Sequence, residues 1–171
     1  EKLIAVTHPN YFKKTIFFAH SNLPTWIIHS LKKTFIKKKI KKNIYKKIFI
    51  DRSDSTQEHC KLINNNEIIN VLKKRGFKIL QLSKISLKNQ ISIFQNCKEI
   101  ISPHGAGLAN LTFCKAGTKI IEIIPKNNTN QVYRRISKIN KLSHKFVYLD
   151  HIKKNKKGDM FLDLKKLNKL L

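Results

Sequence analysis

The segment from Lys98 to Pro125, KEIISPHGAGLANLTFCKAGTKIIEIIP, leaves few folds open. An apolar run, Ile100-Ile101, stops at Pro103-His104-Gly105-Ala106-Gly107. A short apolar helical pattern follows, and a second apolar run, Ile-Ile-Glu-Ile-Ile, carries one acid, Glu122. Two apolar strands joined by a short helix pair in parallel, and parallel strands must be covered on their faces. Glycine at the strand-to-helix turn lets backbone approach a ligand, because no Cβ stands in the way. The first N–H groups of the following helix then face an anion. An acid on the next strand stands where nucleotide-binding α/β sheets place the acceptor for a ribose hydroxyl. The spacing reads as a site for a phosphorylated nucleotide.

The same alternation runs along the chain and predicts an α/β fold, a doubly wound Rossmann-like parallel sheet. Strands are expected at Leu3–Val6, Lys47–Asp51, Phe77–Leu82, Glu99–Ser102, Lys119–Ile124 and Lys145–Leu149. Helices are expected from Pro24 to Lys38 (apolar stripe Trp26, Ile27, Leu31, Phe35), after a cap at Asn64–Asn66, and after Ser86. Further helices are expected at Ala106–Cys114, from Asn130 to Leu142, and at the end of the chain. Lys153–Gly158 reads as a basic loop. Residues 40–171 read as one nucleotide-binding domain, and residues 1–39 as an interdomain joint or the end of a preceding domain.

In open α/β sheets ligands lie beyond the carboxyl ends of the strands, so polar residues there are the candidates. Arg52 and Ser53 follow the Lys47–Asp51 strand, Ser102 to Gly107 follow the next but one, and Glu122 lies in the one after that. Each has a plainer alternative. Arg52 could satisfy Asp51 and Asp54, and His104 could be a turn residue. Glu122 needs a partner in so apolar a run, which a structural ion pair would also supply. Asn110 stands where a dinucleotide fingerprint has its third Gly or Ala, which disfavours a nicotinamide enzyme and leaves it a capping role. Gln90 reads as solvated. The remaining histidines show no ligand spacing, and no metal site is expected.

The charge of +26 invites a polyanion partner, yet of the 36 cations only Arg52, Arg75, Arg134 and Arg135 are arginine. Base readout and bidentate phosphate contacts favour Arg, so no nucleic-acid partner is expected. Abundant Lys, Ile and Asn are what an A/T-biased genome produces. The run Lys37-Lys38-Lys39 with Lys41-Lys42 and Lys46-Lys47 is either a solvated face or a contact for acidic lipid head groups. Three separated cysteines, Cys60, Cys97 and Cys114, suit a reducing compartment rather than disulfides or zinc. No apolar stretch approaches the roughly 18 residues of a membrane span.

An ordered series of motifs carries a resemblance. Ile48-Phe49-Ile50-Asp51-Arg52-Ser53-Asp54 is followed by Asn66-Glu67, Lys74-Arg75-Gly76-Phe77 and Leu80-Gln81-Leu82. Ser86-Leu87-Lys88-Asn89-Gln90-Ile91, Ile101 to Leu111 and Gly117 to Pro125 complete it. The series, nearly half the chain, resembles glycosyltransferase family 61. That family groups bacterial capsule-type transferases with plant xylosyl- and arabinosyltransferases and animal O-linked N-acetylglucosaminyltransferases.

The resemblance implies the C-terminal, Rossmann-like domain of a GT-B enzyme. It further implies inverting, metal-independent transfer from a nucleotide sugar, such as a UDP-sugar, to a glycan or other hydroxyl acceptor, as in surface polysaccharide biosynthesis. No cofactor is implied beyond that donor. By this likeness Arg52 and Ser53 stand near the diphosphate, with Ser102 and Asn110 flanking its phosphate turn, His104-Gly105-Ala106-Gly107. Glu122 stands near the ribose, and Lys61 replaces an arginine that members often carry. His104 and Arg52 are the catalytic candidates. A cytoplasmic protein, peripheral at the inner membrane face, is the expected setting.

Overall fold

The computed structural model describes residues 23–36, 45–55, 59–128, 130, 132–152 and 158–171. The expected strand at Leu3–Val6 and most of the loop at Lys153–Gly158 lie outside these residues.

In chain order the elements are α1 (Thr25–Phe35), β1 (Lys47–Ile50), α2 (Asn65–Lys74), β2 (Lys78–Leu80), α3 (Leu87–Asn96), β3 (Glu99–Pro103), β4 (Lys119–Pro125), α4 (Val132–Ile139), β5 (Ser143–Leu149) and α5 (Leu164–Leu170). Two 3-10 helices, Leu82–Lys84 and Ala106–Phe113, precede α3 and β4 respectively. All pairings are parallel, and the sheet order is β2-β1-β3-β4-β5. This is the Rossmann-like, doubly wound arrangement, and its order reverses between β1 and β3.

Strand alternation sends neighbouring residues to opposite faces, and each face has its own core. Ile48, Ile50, Ile100 and Ile120 meet Phe94 of α3, Leu108 and Leu111 of the second 3-10 helix, and Tyr133 and Ile136 of α4. Phe49, Ile101, Ile121, Ile123 and Val147 meet Ile68 and Leu72 of α2 and Leu167 of α5. Burying each such side chain fully stabilises the fold by about 1.5–3 kcal/mol. A crossover moving outward from β1 and one moving back must use opposite faces if both are right-handed, as α2 and α3 do.

Helix α2 ends where Gly76 takes a left-handed φ of 79°. Gly76 N–H donates to Lys73 O at 3.0 Å and Phe77 N–H to Leu72 O at 3.0 Å, satisfying the last carbonyls. Several local expectations need correcting. Ala106–Phe113, expected as a short helix, is a 3-10 helix, with Leu108, Leu111, Thr112 and Phe113 buried. In α1 the expected inner stripe faces outward: Trp26 is 62% and Phe35 41% exposed, while Ile28 is the buried residue. Asn64 does not cap α2 with its side chain; it holds residue 162 instead, donating to Leu162 O at 2.9 Å. Cys97 and Cys114 are core residues as expected, and Cys60 is buried as well. No helix among the described residues is long and apolar enough to cross a membrane.

Candidate active site

The carboxyl ends of β1 and β3, the two strands at the reversal, carry Asp51-Arg52-Ser53 and His104-Gly105. Asp51 organises the first of these loops. It accepts from Ser53 N–H at 3.0 Å, Ser53 Oγ at 2.8 Å, Asn65 Nδ2 at 2.9 Å and Gln81 Nε2 at 3.0 Å. Burial works to raise this carboxyl, and the donors from Ser53, Asn65 and Gln81 outweigh it, holding Asp51 below the usual aspartate value. Asp54 is engaged by Ser83, which donates from both N–H and Oγ. Among the described residues neither acid forms an ion pair with Arg52.

Arg52 reaches across the strand gap instead. Its guanidinium donates to the carbonyl of His104 and, at 3.3 Å, to Ser55 Oγ. The three atoms nearest to where a Gly105 Cβ would stand all belong to the Arg52 head group. Glycine leaves that head group its room, and the backbone angle does not demand it, since φ is an extended 162°. At Gly107 a Cβ would meet Leu82 Cδ1 at 2.9 Å, so this turn too is closely packed.

Two hollows flank Arg52. A cleft of about 420 Å³ is walled by Asp51, Arg52, Asp54, Ser55 and His59 on one side and by Leu82, Ser83, Ala106 and Gly107 on the other. A smaller one, about 160 Å³, is lined by Arg52, Ser53, Lys61, Leu62, Asn65 and Pro103. The larger volume is within the usual range for small-molecule sites. Its floor includes the first residues of the 3-10 helix, whose N–H groups have no partner within the helix.

Of the candidate residues, Arg52, Ser53, Lys61, Gly105, Ala106 and Gly107 therefore come together around these hollows. The Ser53 hydroxyl is committed to Asp51 and to Gln81, whose Nε2 donates to it at 2.8 Å. Lys61 is anchored by its backbone, donating to Asp159 Oδ1 at 3.0 Å and accepting from Met160 N–H at 2.8 Å.

Others stand apart from the cleft. Ser102 is buried, and its hydroxyl donates to Pro103 O at 2.7 Å. Asn110 donates to Gln90 Oε1 at 2.9 Å and to Gly107 O at 3.2 Å. Gln90 is thus not simply solvated; it donates to Leu82 O and Ile85 O and ties the loop after β2 to the glycine turn.

Glu122 is 1% exposed and stands behind the turn. One oxygen meets His104 Nδ1, and the other lies 3.0 Å from His144 Nε2, close enough for an ion pair though out of line for a good hydrogen bond. Burial works to raise Glu122, but the hydrogen bond from His104 and the proximity of His144 prevail and hold it below the ordinary glutamate value. His104 is fixed from three sides: its N–H donates to Ile123 O at 2.7 Å, its ring meets Glu122, and Tyr133 packs on it at 5.2 Å between centroids. Both carboxylate oxygens of Glu122 thus face histidines, a structural pairing, and Glu122 does not line the cleft. His144, which shows no ligand spacing in the sequence, completes it because β5 lies beside β4.

His59 is a cleft residue that spacing did not reveal. Burial, and next the Arg52 charge, keep it below the ordinary histidine value. Among the described residues no group of three or more His, Cys, Asp or Glu is arranged to hold a metal ion.

A parallel sheet whose order reverses between β1 and β3, with an arginine against a glycine turn at that reversal, defines a Rossmann-like α/β domain. The chain belongs to glycosyltransferase family 61: the family model, Glycosyltransferase 61, matches residues 1–121, and the protein is accordingly a glycosyltransferase. The match starts at residue 1, well before Ile48, and ends one residue short of Glu122. No curated protein matches the chain.

Proposed function

We propose that the cleft beside Arg52 binds the diphosphate of a nucleotide sugar, and that the enzyme transfers the sugar to a glycan or other hydroxyl acceptor with inversion. The observation that carries this reading is the Arg52 guanidinium seated on Gly105 at the β1/β3 reversal, open to a cleft of about 420 Å³.

In the proposed step the acceptor oxygen attacks the anomeric carbon, and the bond from that carbon to the diphosphate oxygen breaks on the opposite side. The acceptor proton passes to a base, and negative charge grows on the departing diphosphate. Arg52, Ala106 and Gly107 line the cleft, and the guanidinium and the backbone N–H groups there stabilise that charge as it develops. Lys61 adds a second cation, as a point charge rather than a planar fork. His104 and Glu122 serve as positioning residues, since both stand behind the turn whose backbone carries the site. The reading includes the GT-B assignment, a donor such as a UDP-sugar, independence from a metal, and a place at the cytoplasmic membrane face.

Calorimetric titration of the full chain with UDP-sugars and with NADH tests it. Saturable binding of a nucleotide sugar, weakened at least about tenfold in Arg52→Ala, is expected. Preference for NADH, or binding indifferent to Arg52, contradicts it.

A further inference from the structure

The acids of this protein are sorted along the strand direction. Among the described residues every acid but one lies toward the cleft end. Asp51, Asp54 and Asp150 follow strands, Glu122 is level with Ser102, Asp159 lies beside Lys61, and Glu67 and Asp163 open α2 and α5. The exception is Glu99, which starts β3 and is tied to Lys47 at 3.3 Å.

The opposite end is lined with lysine. Lys46, Lys98, Lys119 and Lys141 are linked through one another's loops by backbone bonds: Lys98 N–H to Lys46 O at 2.7 Å, Lys119 N–H to Lys98 O at 2.9 Å, and Gly117 N–H to Lys141 O at 2.9 Å. Lys78 and Lys115 extend the row, and all six are exposed. Five strands at ordinary spacing make it about 20 Å wide. Lys98 and Lys141, two residues beyond α3 and α4, answer helix dipoles as do the cations at the end of α2, whereas Lys46 and Lys119 open strands, which have no such dipole to satisfy. A lysine-rich composition supplies lysine everywhere; it does not move the acids to the other end.

We propose that this strand-start face docks on a bilayer surface bearing anionic lipid head groups. Apart from Arg75, at the end of α2, its cations are lysines, point charges suited to a diffuse layer of phosphates rather than the arginine forks that read nucleic acid. Apolar surface adjoins them. Phe35, 41% exposed, packs edge-on against Phe113 beside Cys114-Lys115, and Leu31 is exposed one turn before it. Basic and apolar groups together suit the head-group boundary. Docked this way, the cleft at the far ends of the same strands stays open to water. The inference gives a surface to the membrane placement proposed above and rests on that part of the reading; it uses none of the cleft residues, so its failure leaves the donor chemistry untouched.

The test is co-sedimentation of the full chain with phosphatidylcholine vesicles, with and without phosphatidylglycerol, at physiological ionic strength. Two variants carry equal charge changes: K46Q/K98Q/K115Q/K119Q at the strand-start face, and K84Q/K88Q/K126Q/K165Q elsewhere. The wild type is expected to bind only the anionic vesicles. The first variant should lose at least about tenfold in partitioning, and the second less than about twofold. Thermal melting checks that each is folded. The corresponding Lys→Arg variant at the strand-start face, which keeps the charge, should bind as the wild type does. Equal losses in both variants, no binding to anionic vesicles, or tighter binding of duplex DNA or RNA than of vesicles overturns the proposal.

Discussion

The head group of Arg52 fills the space that a side chain at Gly105 would need, and it donates to the carbonyl of His104. This contact joins the loop after β1 to the turn after β3, and it predicts an unusual pair of phenotypes. In Gly105→Ala the extended backbone accepts alanine, and only the end of a flexible side chain must move. Stability should fall by no more than about 1 kcal/mol, because no core packing is lost. Nucleotide-sugar affinity should fall at least about tenfold, as in Arg52→Ala, because the guanidinium is displaced. The double variant should be no worse than the weaker single one, since both remove the same interaction. Melting curves and calorimetry on the three variants check this; additive losses would separate Gly105 from Arg52.

Glu122 predicts an acid sensitivity. Its folded carboxyl is held below the ordinary value of 4.5, so it contributes stability above that value and loses it as pH falls through the folded one. Glu122→Gln should flatten the pH dependence of unfolding in this acid range. Glu122→Ala leaves two buried imidazoles without their shared partner and should cost about 1–3 kcal/mol. Denaturant titrations across the acid range measure both, and an unchanged acid slope in Glu122→Gln would remove the carboxylate from the balance.

Tyr133 acts at the other end of the scale. Burial, and then the nearby Glu122 charge, push its phenol from 10 up to about 12. A group whose value is raised on folding stabilises the protein below its unfolded value and ceases to do so as pH rises toward the folded one. Stability should therefore decline between pH 10 and about 12 more steeply in the wild type than in Tyr133→Phe. Parallel curves for the two proteins would contradict this placement.

Much of this architecture could be read in the residues, because each strand is a run bounded by polar turns and each crossover has its own periodicity. The gathering of Arg52 with Gly105–Gly107 followed from the rule that sites lie at strand ends. Where the reading fell short, the deciding contact was remote in sequence. Glu122 was legible as an acid in need of a partner, but His144 reaches it only through the β4–β5 pairing. Gln90 and Asn110 meet across two segments with no local signal. The outward turn of Trp26 and Phe35 reflects how little of the sheet α1 covers, with Ile28 as its one buried anchor.

The central claim is that phosphate sits between Arg52 and the backbone after Gly105. The most direct measurement is a nitrogen-15 NMR titration of the full chain with UDP, following the amides of Ala106 and Gly107 and the side-chain Nε–H of Arg52. Saturable shifts at these three groups, reached at one ligand affinity, are predicted. Shifts confined to other regions, with these three resonances unmoved at saturation, would contradict the account.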